Sequence, residues 1–456
     1  MQNAMATQNV TAQGYTLVVG LGITGLSAVR YLSALGERIV VVDSRERPPQ
    51  LPVLQQQFPQ VEVHTGAFDA QHFCQARRIV VSPGVALTEP ALQAAQQAGV
   101  EIIGDIDLFA SEVRVPVAAI TGSNGKSTVT ALLSAMLEQS GKRVLTGGNI
   151  GTPALELLRQ ADTQQPADAC VLELSSFQLE TLQRLPMQTA VVLNISADHM
   201  DRYPNMETYI ASKLSIYRHA ENAVINLDDA VLRQQVLPTG RVLGFSLRAS
   251  SDSSFGVDMR HGERYLAFEG ECLLAVDALK MRGEHNIANA LAALALGTQM
   301  AVPMAAMLQT LQSFGGLAHR TQWVAEIDGV NWYNDSKATN VGATVAAIRG
   351  LPGRHVLIAG GEGKAADFSA LAEAARERLS AAVLIGRDAG ALATVLAPVT
   401  RVERAADMDE AVRLAASLAQ RGDNVLLSPA CASFDMFDSF EHRGEMFMQA
   451  VRERLS

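Results

Sequence analysis

The chain has 456 residues, a net charge of −10, 48% apolar and 18% charged residues, the composition of a soluble globular protein too long for one ordinary core, so two or three domains are expected. The charge is spread without a basic block, which excludes nucleic acid as the main partner, since a phosphate backbone demands clustered Lys and Arg. Cys74, Cys170, Cys272 and Cys431 show no metal-ligand spacing, and the polar tail before Tyr15 is not a signal peptide, so buried thiols in a cytoplasmic protein are expected.

The first strand, Thr16 to Val19, runs into Gly20-Leu21-Gly22-Ile23-Thr24-Gly25 and a helix pattern to about Leu35. A second strand, Arg38 to Val42, ends in Asp43. This is the glycine fingerprint of a dinucleotide fold, with Asp43 placed to meet a ribose hydroxyl or the base. Two other readings stay open: glycines that only allow close helix packing, and a turn for any nucleotide diphosphate. A further strand, Arg78 to Val81, ends in Ser82-Pro83-Gly84, a second turn facing the same crevice, and the first domain spans 1–104.

An apolar run, Val115 to Ile120, then leads into Thr121-Gly122-Ser123-Asn124-Gly125-Lys126-Ser127-Thr128 and a helix pattern from Val129 to Ser140. A glycine-rich turn between strand and helix aims backbone N–H groups and the positive helix end at an anion. Lys126 can reach the outer phosphates of a nucleotide, and Ser127 or Thr128 offers a hydroxyl to Mg²⁺. The loop is shorter than the common phosphate loop, with only two residues between Gly122 and Gly125.

Two later strands end in polar residues: Ala169 to Leu172 runs into Glu173, and Ala190 to Leu193 into Asn194 through Asp201, which includes His199. At the C-terminal edge of a parallel sheet both could meet a Mg²⁺ beside the phosphate loop. The bland alternatives are a capping carboxylate and a packed core histidine. Lys213, in a helix pattern from Met206 to His219, reads locally as a solvated lysine. Between Gly244 and Gly283 short alternating runs predict a small antiparallel patch. His285-Asn286-Ile287-Ala288-Asn289 opens alanine-rich helices, its amides suited to a base or ribose, or to a helix cap. The uncharged segment Asn286 to Ala318 is broken by Gly297 and Pro303, so two packed helices are expected, with no membrane contact. This middle domain spans 105–316.

The last unit, 317–456, has three apolar runs ending in polar loops, Asn334 to Asn340, Gly360 to Lys364 and Ser428 to Phe434. Lys337 and Lys364 would otherwise be surface lysines. The whole reads as α/β with three domains: Rossmann-like, then a mostly parallel P-loop ATPase-like sheet with an antiparallel patch, then Rossmann-like again.

Together these motifs resemble the Mur ligases, ATP-dependent enzymes that build the peptide stem of the bacterial cell wall. The match runs from Val18 to about Phe447 and covers the shortened phosphate loop, Leu172 to Glu180, Asp198 to Tyr203 and His285-Asn286. Asp43-Ser44-Arg45, Asn334 to Asn340 and Ser428 to Ser433 are similar to the branch that joins D-glutamate to UDP-N-acetylmuramoyl-L-alanine. Ser44 stands where threonine is common and keeps the hydroxyl.

The resemblance implies that Ile23, Thr24, Asp43, Ser44, Arg45, Gly84 and Asn149 bind the UDP-substrate. ATP would be held by Gly122, Ser123, Asn124, Gly125, Lys126, Ser127 and Thr128, with Asn289, Arg320 and Asp335. Ser127, Thr128, Glu173 and His199 would hold Mg²⁺, together with Lys213, the family position that becomes carbamylated. His199 would also serve the UDP-substrate, and Lys126, Glu173, His199 and Lys213 would be catalytic. Thr339, Lys364, Ser433 and the backbone near Phe440 would hold D-glutamate. A monomer is expected.

The implied chemistry activates a poor electrophile. The substrate carboxylate takes the γ-phosphoryl group of ATP, giving an acyl phosphate that the amine of D-glutamate then attacks. An NAD-dependent oxidoreductase would leave the phosphate loop, Glu173, His199 and the third unit unexplained. A P-loop switch ATPase would need only one nucleotide site. Folylpolyglutamate synthase lacks a domain corresponding to Gly20 to Gly84.

Overall fold

The computed structural model describes residues 14–160, 166–235, 237, 240–281, 283–363 and 366–454. The fold is α/β, with three sheets of five, nine and six strands, each the centre of one domain. By density of contacts the chain divides into two compact units. Among the described residues, one holds Val115 and those before it, with those of 147–166 and 174–186; the other holds those of 116–146, 167–173 and 187–454.

In the first unit, β1 (Thr16–Val19), β2 (Ile39–Asp43), β3 (Glu62–Thr65), β4 (Arg78–Val81) and β5 (Glu101–Ile103) are all parallel, in the order β3-β2-β1-β4-β5. The winding reverses between β1 and β4, and a crevice opens at such a switch point, beyond the strand ends. The Gly20 turn and the Ser82-Pro83-Gly84 turn both leave from there. Gly25 is obligatory in the first helical turn, since a Cβ on it would lie 1.9 Å from the Gly20 carbonyl oxygen. Leu17, Val19, Val40, Val42, Ile79 and Val81 pack with Phe73 and Leu92 into one core. The helices Asp105–Glu112 and Ser176–Thr181 belong to this unit, joined by a hydrogen bond from Gln178 Nε2 to buried Asp105 (3.3 Å).

The second unit holds two sheets. The first contains β6 (Val117–Thr121), β7 (Val144–Gly148), β8 (Ala169–Glu173), β9 (Met187–Val192), β10 (Ala220–Asn226), β11 (Val242–Phe245), β12 (Ser254–Arg260), β13 (Glu263–Phe268) and β14 (Glu271–Ala275). Their order is β14-β13-β12-β11-β10-β9-β6-β8-β7, and the expected antiparallel patch is β12 to β14. Register sets the site: Ile120 of β6 lies opposite Glu173 of β8, and Thr121 opposite Val192 of β9. The phosphate loop, Glu173 and Asn194 therefore leave one edge together. The helix Glu284–Gln299 is buried on nearly all sides, against the sheet and the helices Lys126–Gln139 and Met304–Ser313. That explains its uncharged sequence, and among the described residues no helix is long and apolar enough to cross a membrane.

The last sheet contains β15 (Gln322–Ile327), β16 (Val330–Asn334), β17 (His355–Gly360), β18 (Leu379–Ile385), β19 (Arg401–Arg404) and β20 (Asn424–Leu427), ordered β15-β16-β20-β17-β18-β19. Only β15 is antiparallel. Both faces are covered: Leu357, Ala359 and Leu384 pack on one side, Val356, Ile358 and Val383 on the other, the period-two pattern of a doubly covered strand. The three polar loops leave neighbouring strands β16, β20 and β17. Two expectations are corrected. The helix from Met206 is α-helical only to Leu214 and continues as a 3₁₀ turn, Ser215–His219. Cys74 is exposed and Cys272 half-buried, while Cys170 and Cys431 are buried as expected.

Candidate active site

In the first unit, a cleft of about 560 Å³ is lined by Ile23, Thr24, Asp43, Ser44, Arg45, Gly84 and Asn149, together with Gln178. The fingerprint predicts Asp43 at a ribose hydroxyl or the base; it lines the cleft, and its carboxylate also accepts hydrogen bonds from its own turn. It accepts the Leu21 N–H at 2.6 Å, the Arg45 N–H at 2.9 Å and Arg45 Nη2 at 2.6 Å. Burial raises the Asp43 pKa, but hydrogen bonds from Arg45 and Leu21 outweigh it and hold the carboxyl below its usual range. Asp43 thus ties the Leu21 and Arg45 backbones together, and the half-exposed Arg45 guanidinium lines the cleft beside it.

In the second unit, the phosphate loop is fixed by polar contacts to β9's exit. Ser123 N donates to the Asn194 carbonyl (3.0 Å), Asn124 N to Asn194 Oδ1 (2.8 Å), and Ser123 Oγ to the Ser196 carbonyl (2.8 Å). Gly125, with φ +84°, begins the helix; a Cβ there would lie 2.5 Å from Asn289 Oδ1. Lys126 Nζ folds back onto the carbonyls of Gly122 (2.9 Å) and Ser123 (3.0 Å). Desolvation lowers its pKa, opposed by the negative charges of Glu173 and Asp198.

Ser127 Oγ donates to Glu173 Oε2 at 2.6 Å and accepts from Arg320 Nη2 at 2.6 Å. A cavity of about 320 Å³ beside them is lined by Asn124, Gly125, Thr128, Asn289, Arg320 and Asp335, six of the ten residues expected at ATP. Asp335 is held by Thr321 N (3.0 Å) and Ser428 Oγ (2.8 Å), and burial pushes its carboxyl up to about 6.

The local reading of Lys213 as solvated is overturned. Its ammonium is buried, donates to the Gly122 carbonyl at 2.9 Å and lies 4.8 Å from the centre of the Tyr209 ring. Desolvation, aided by neighbouring Lys126, drives its pKa well below the ordinary lysine value. His199 is not a packed core histidine: it has φ +57°, and its half-exposed ring lies 3.6 Å from Asp198 Oδ2. Among the described residues no three His, Cys, Asp or Glu side chains form a metal-holding cluster. The buried Glu173 carboxylate and the Ser127 hydroxyl bonded to it are nevertheless hard oxygen donors side by side, the chemistry Mg²⁺ prefers; Thr128 is buried and lines the neighbouring cavity.

At the third sheet, the Thr339 N–H donates to the Lys337 carbonyl (2.8 Å), and buried Ser433 accepts the Phe437 N–H (2.8 Å) with its own carbonyl. Phe440's carbonyl accepts Ser336 Oγ (2.8 Å), and its ring sits 3.8 Å from Lys337 Nζ. Lys337 is therefore not the surface lysine of the bland reading; burial lowers its pKa to about 8. Lys364 lies outside the described residues. The sequence reading missed Arg443, fully buried in the helix Phe440–Glu453. Its guanidinium joins the polar loops, donating to Ser336 Oγ (2.9 Å), the Ser336 carbonyl (2.8 Å) and the Cys431 carbonyl (3.1 Å). No local signal marks it, because its partners lie outside its helix, in the loops at Ser336 and Cys431. Asn194 and Asn340, read in the sequence only as ends of their polar loops, also make defined contacts; Asn340 Nδ2 reaches Asp198 Oδ2 at 3.2 Å.

Three family models match the chain in succession. The model of the MurD-like N-terminal domain of Mur ligases matches residues 14–104, that of the Mur ligase middle domain residues 120–297, and that of the Mur ligase glutamate ligase domain residues 319–431. The UDP-N-acetylmuramoylalanine–D-glutamate ligase of Nitrosococcus oceani is 54% identical, over 97% of this chain and 97% of that protein. The enzyme of the same name from Pseudomonas aeruginosa is 52% identical, over 97% and 99%. Among solved structures, a pseudomurein peptide ligase type C from Methanothermus fervidus aligns with TM-score 0.61 at 17% identity, over 97% of this chain and 100% of that one. MurF ligase from Thermotoga maritima in complex with ADP aligns with TM-score 0.59 at 18% identity, over 97% and 96%. Both share the fold.

Proposed function

The chain belongs to the Mur ligase family, and on that premise we propose that it joins D-glutamate to UDP-N-acetylmuramoyl-L-alanine using ATP, a cytoplasmic step of peptidoglycan precursor synthesis. The observation that carries this is the edge where Lys126, Ser127, Glu173 and Arg320 meet at a helix N-terminus, in a chain about half identical to ligases of that name. The working assignment is a UDP-substrate domain over 1–104, an ATP domain over 105–316 and an amino-acid domain over 317–456, acting as a monomer.

The triphosphate sits over Gly122 to Thr128, where backbone N–H groups and the helix dipole favour anions. Lys126 exchanges its two neutral carbonyl partners for phosphate oxygens, a stronger charge-assisted contact. Arg320 adds a second cation, Asn289 flanks the nucleotide and Asp335 takes its ribose. Glu173, Ser127, Thr128, His199 and a carbamylated Lys213 would hold Mg²⁺, which when bound offsets charge on the phosphoryl oxygens. Ile23, Thr24, Asp43, Ser44, Arg45, Gly84 and Asn149 hold the UDP-substrate, with His199 serving the acyl end. Its carboxylate takes the γ-phosphoryl group, and the D-glutamate amine displaces phosphate. Thr339, Lys364, Ser433 and the Phe440 backbone hold D-glutamate, with Lys337 as an added cation.

The test is phosphate release from ATP with UDP-N-acetylmuramoyl-L-alanine, offered D-glutamate, L-glutamate, L-alanine or no amino acid. Release that requires D-glutamate, with a matching UDP-linked product by mass, is expected. Release independent of the amino acid would overturn the proposal.

A further inference from the structure

The segment that delivers Arg320 to the phosphate loop has an unusual backbone. His319 and Thr321, on either side of Arg320, lie in the left-handed region at φ +61° and +45°. For a β-branched residue this conformation is a genuine outlier, because its Cβ crowds the backbone carbonyl. Such strain persists only where the surroundings over-determine it.

Here the surroundings are specific. Asp335 Oδ1 accepts both the Thr321 N–H (3.0 Å) and the Thr321 hydroxyl (3.4 Å), while His285 Nε2 lies 3.1 Å from that hydroxyl. The hydroxyl has one hydrogen; once that is given to the carboxylate, His285 must donate from Nε2, leaving Nδ1 bare. Nδ1 is indeed buried without a hydrogen-bond partner among the described residues. A Cβ on Gly350 would lie 2.6 Å from it, so the ring is pressed against backbone on that side. Desolvation lowers the His285 pKa to about 4, which keeps the imidazole neutral near neutral pH.

A strained threonine and an unsatisfied imidazole nitrogen are both costly, and neither completes an apolar core. What they have in common is location: His285, Thr321, Asp335 and Arg320 all line the 320 Å³ cavity. We infer that Thr321 is a positioning residue for nucleotide binding, its hydroxyl locked between His285 and Asp335 so that its strained backbone aims Arg320 at Ser127, an assignment that rests on the nucleotide reading of Arg320 above. Thr321 touches no phosphate itself; it acts through Arg320.

The experiment is ADP binding by calorimetry, with thermal melting, on wild type, Thr321→Ser, Thr321→Gly, Arg320→Met and the double variant Thr321→Gly/Arg320→Met. Glycine tolerates the left-handed backbone, so Thr321→Gly removes the lock without adding strain and should melt close to wild type. It is expected to bind ADP about tenfold more weakly, the loss of roughly one hydrogen bond's worth of alignment. Thr321→Ser keeps the hydroxyl and should bind ADP within about twofold of wild type. In the Arg320→Met background, Thr321→Gly should cost nothing further, because coupled residues are non-additive. Wild-type ADP affinity in Thr321→Gly, or a fully additive loss in the double variant, would overturn the inference while leaving Arg320 at the nucleotide. Wild-type affinity in Arg320→Met would instead overturn the nucleotide reading of Arg320, and this inference with it. If Thr321→Gly does not fold, Thr321→Val, which keeps the branched shape without the hydroxyl, reads the same loss.

Discussion

Ser127 and Glu173 are joined by a 2.6 Å hydrogen bond across 46 residues of sequence, and the same serine oxygen receives Arg320. The carboxylate is buried at the end of β8, where its charge is answered by Arg320 and Lys126. Glu173→Gln keeps the shape and removes the charge. We expect kcat to fall by roughly 10²–10³, the range seen when one electrostatic stabiliser is lost, with ADP binding changed by less than about tenfold. Steady-state phosphate release with a parallel ADP titration checks this; unchanged kcat would remove Glu173 from the catalytic set.

Lys213 is a buried amine beside a second lysine, and both effects favour its neutral form. A neutral amine is the form that attacks CO₂, giving a carbamate and a proton. Protein equilibrated with ¹³C-bicarbonate should show a carbamate ¹³C resonance that disappears in Lys213→Arg, since arginine stays protonated. The same resonance in both proteins would place the carbamate elsewhere.

Asp105 titrates against burial. Its folded pKa, pushed to about 6 by desolvation, lies above the ordinary value of 3.8, so folding is penalised wherever the unfolded chain would be ionised. The penalty is fully present above pH 6 and fades as pH falls from 6 to about 4. Its ceiling is roughly 3 kcal/mol, at about 1.4 kcal/mol per pKa unit. Asp105→Asn should therefore melt higher than wild type at pH 8, with the gap closing by pH 4. A gap that widens on acidification would contradict the sign.

Gly125→Ala meets two obstacles, a left-handed φ of +84° and Asn289 Oδ1 at 2.5 Å from the new Cβ. The first costs about 1–2 kcal/mol, and the second displaces a residue that lines the nucleotide cavity. ADP affinity should fall at least about thirtyfold, roughly 2 kcal/mol, while Gly141→Ala, with a similar φ but open space around its Cβ, should leave ADP binding unchanged. Calorimetric titration of both separates strain from collision.

Strand ends were the most legible part of the chain. β1 and β4 fall where their apolar runs begin and end, and the loops after β6, β16, β17 and β20 are the polar stretches that interrupt those runs. Short buried parallel strands are written as uninterrupted apolar residues, so hydropathy alone marks them. Lys213 was misread for the converse reason. Its helix is amphipathic in an ordinary way, and only the folded phosphate loop, 91 residues earlier in the chain, buries its ammonium. Arg443 left no trace, since a single arginine in a helix looks alike whether it meets water or the carbonyls of Ser336 and Cys431.

By itself the sequence determined three strand-and-helix units, the two glycine turns, the antiparallel patch and the residue types at each strand end. These are local: backbone sterics set the glycines, and side-chain period sets strand and helix. Tertiary structure alone decided which polar groups meet. It turned Asp43 toward Leu21 and Arg45, set Ser127 between Glu173 and Arg320, and strained Thr321 against Asp335. Hydrogen bonds and burial act over a few ångströms whatever the distance along the chain, so their partners and the pKa shifts that follow exist only once strand register has brought the loops to one edge.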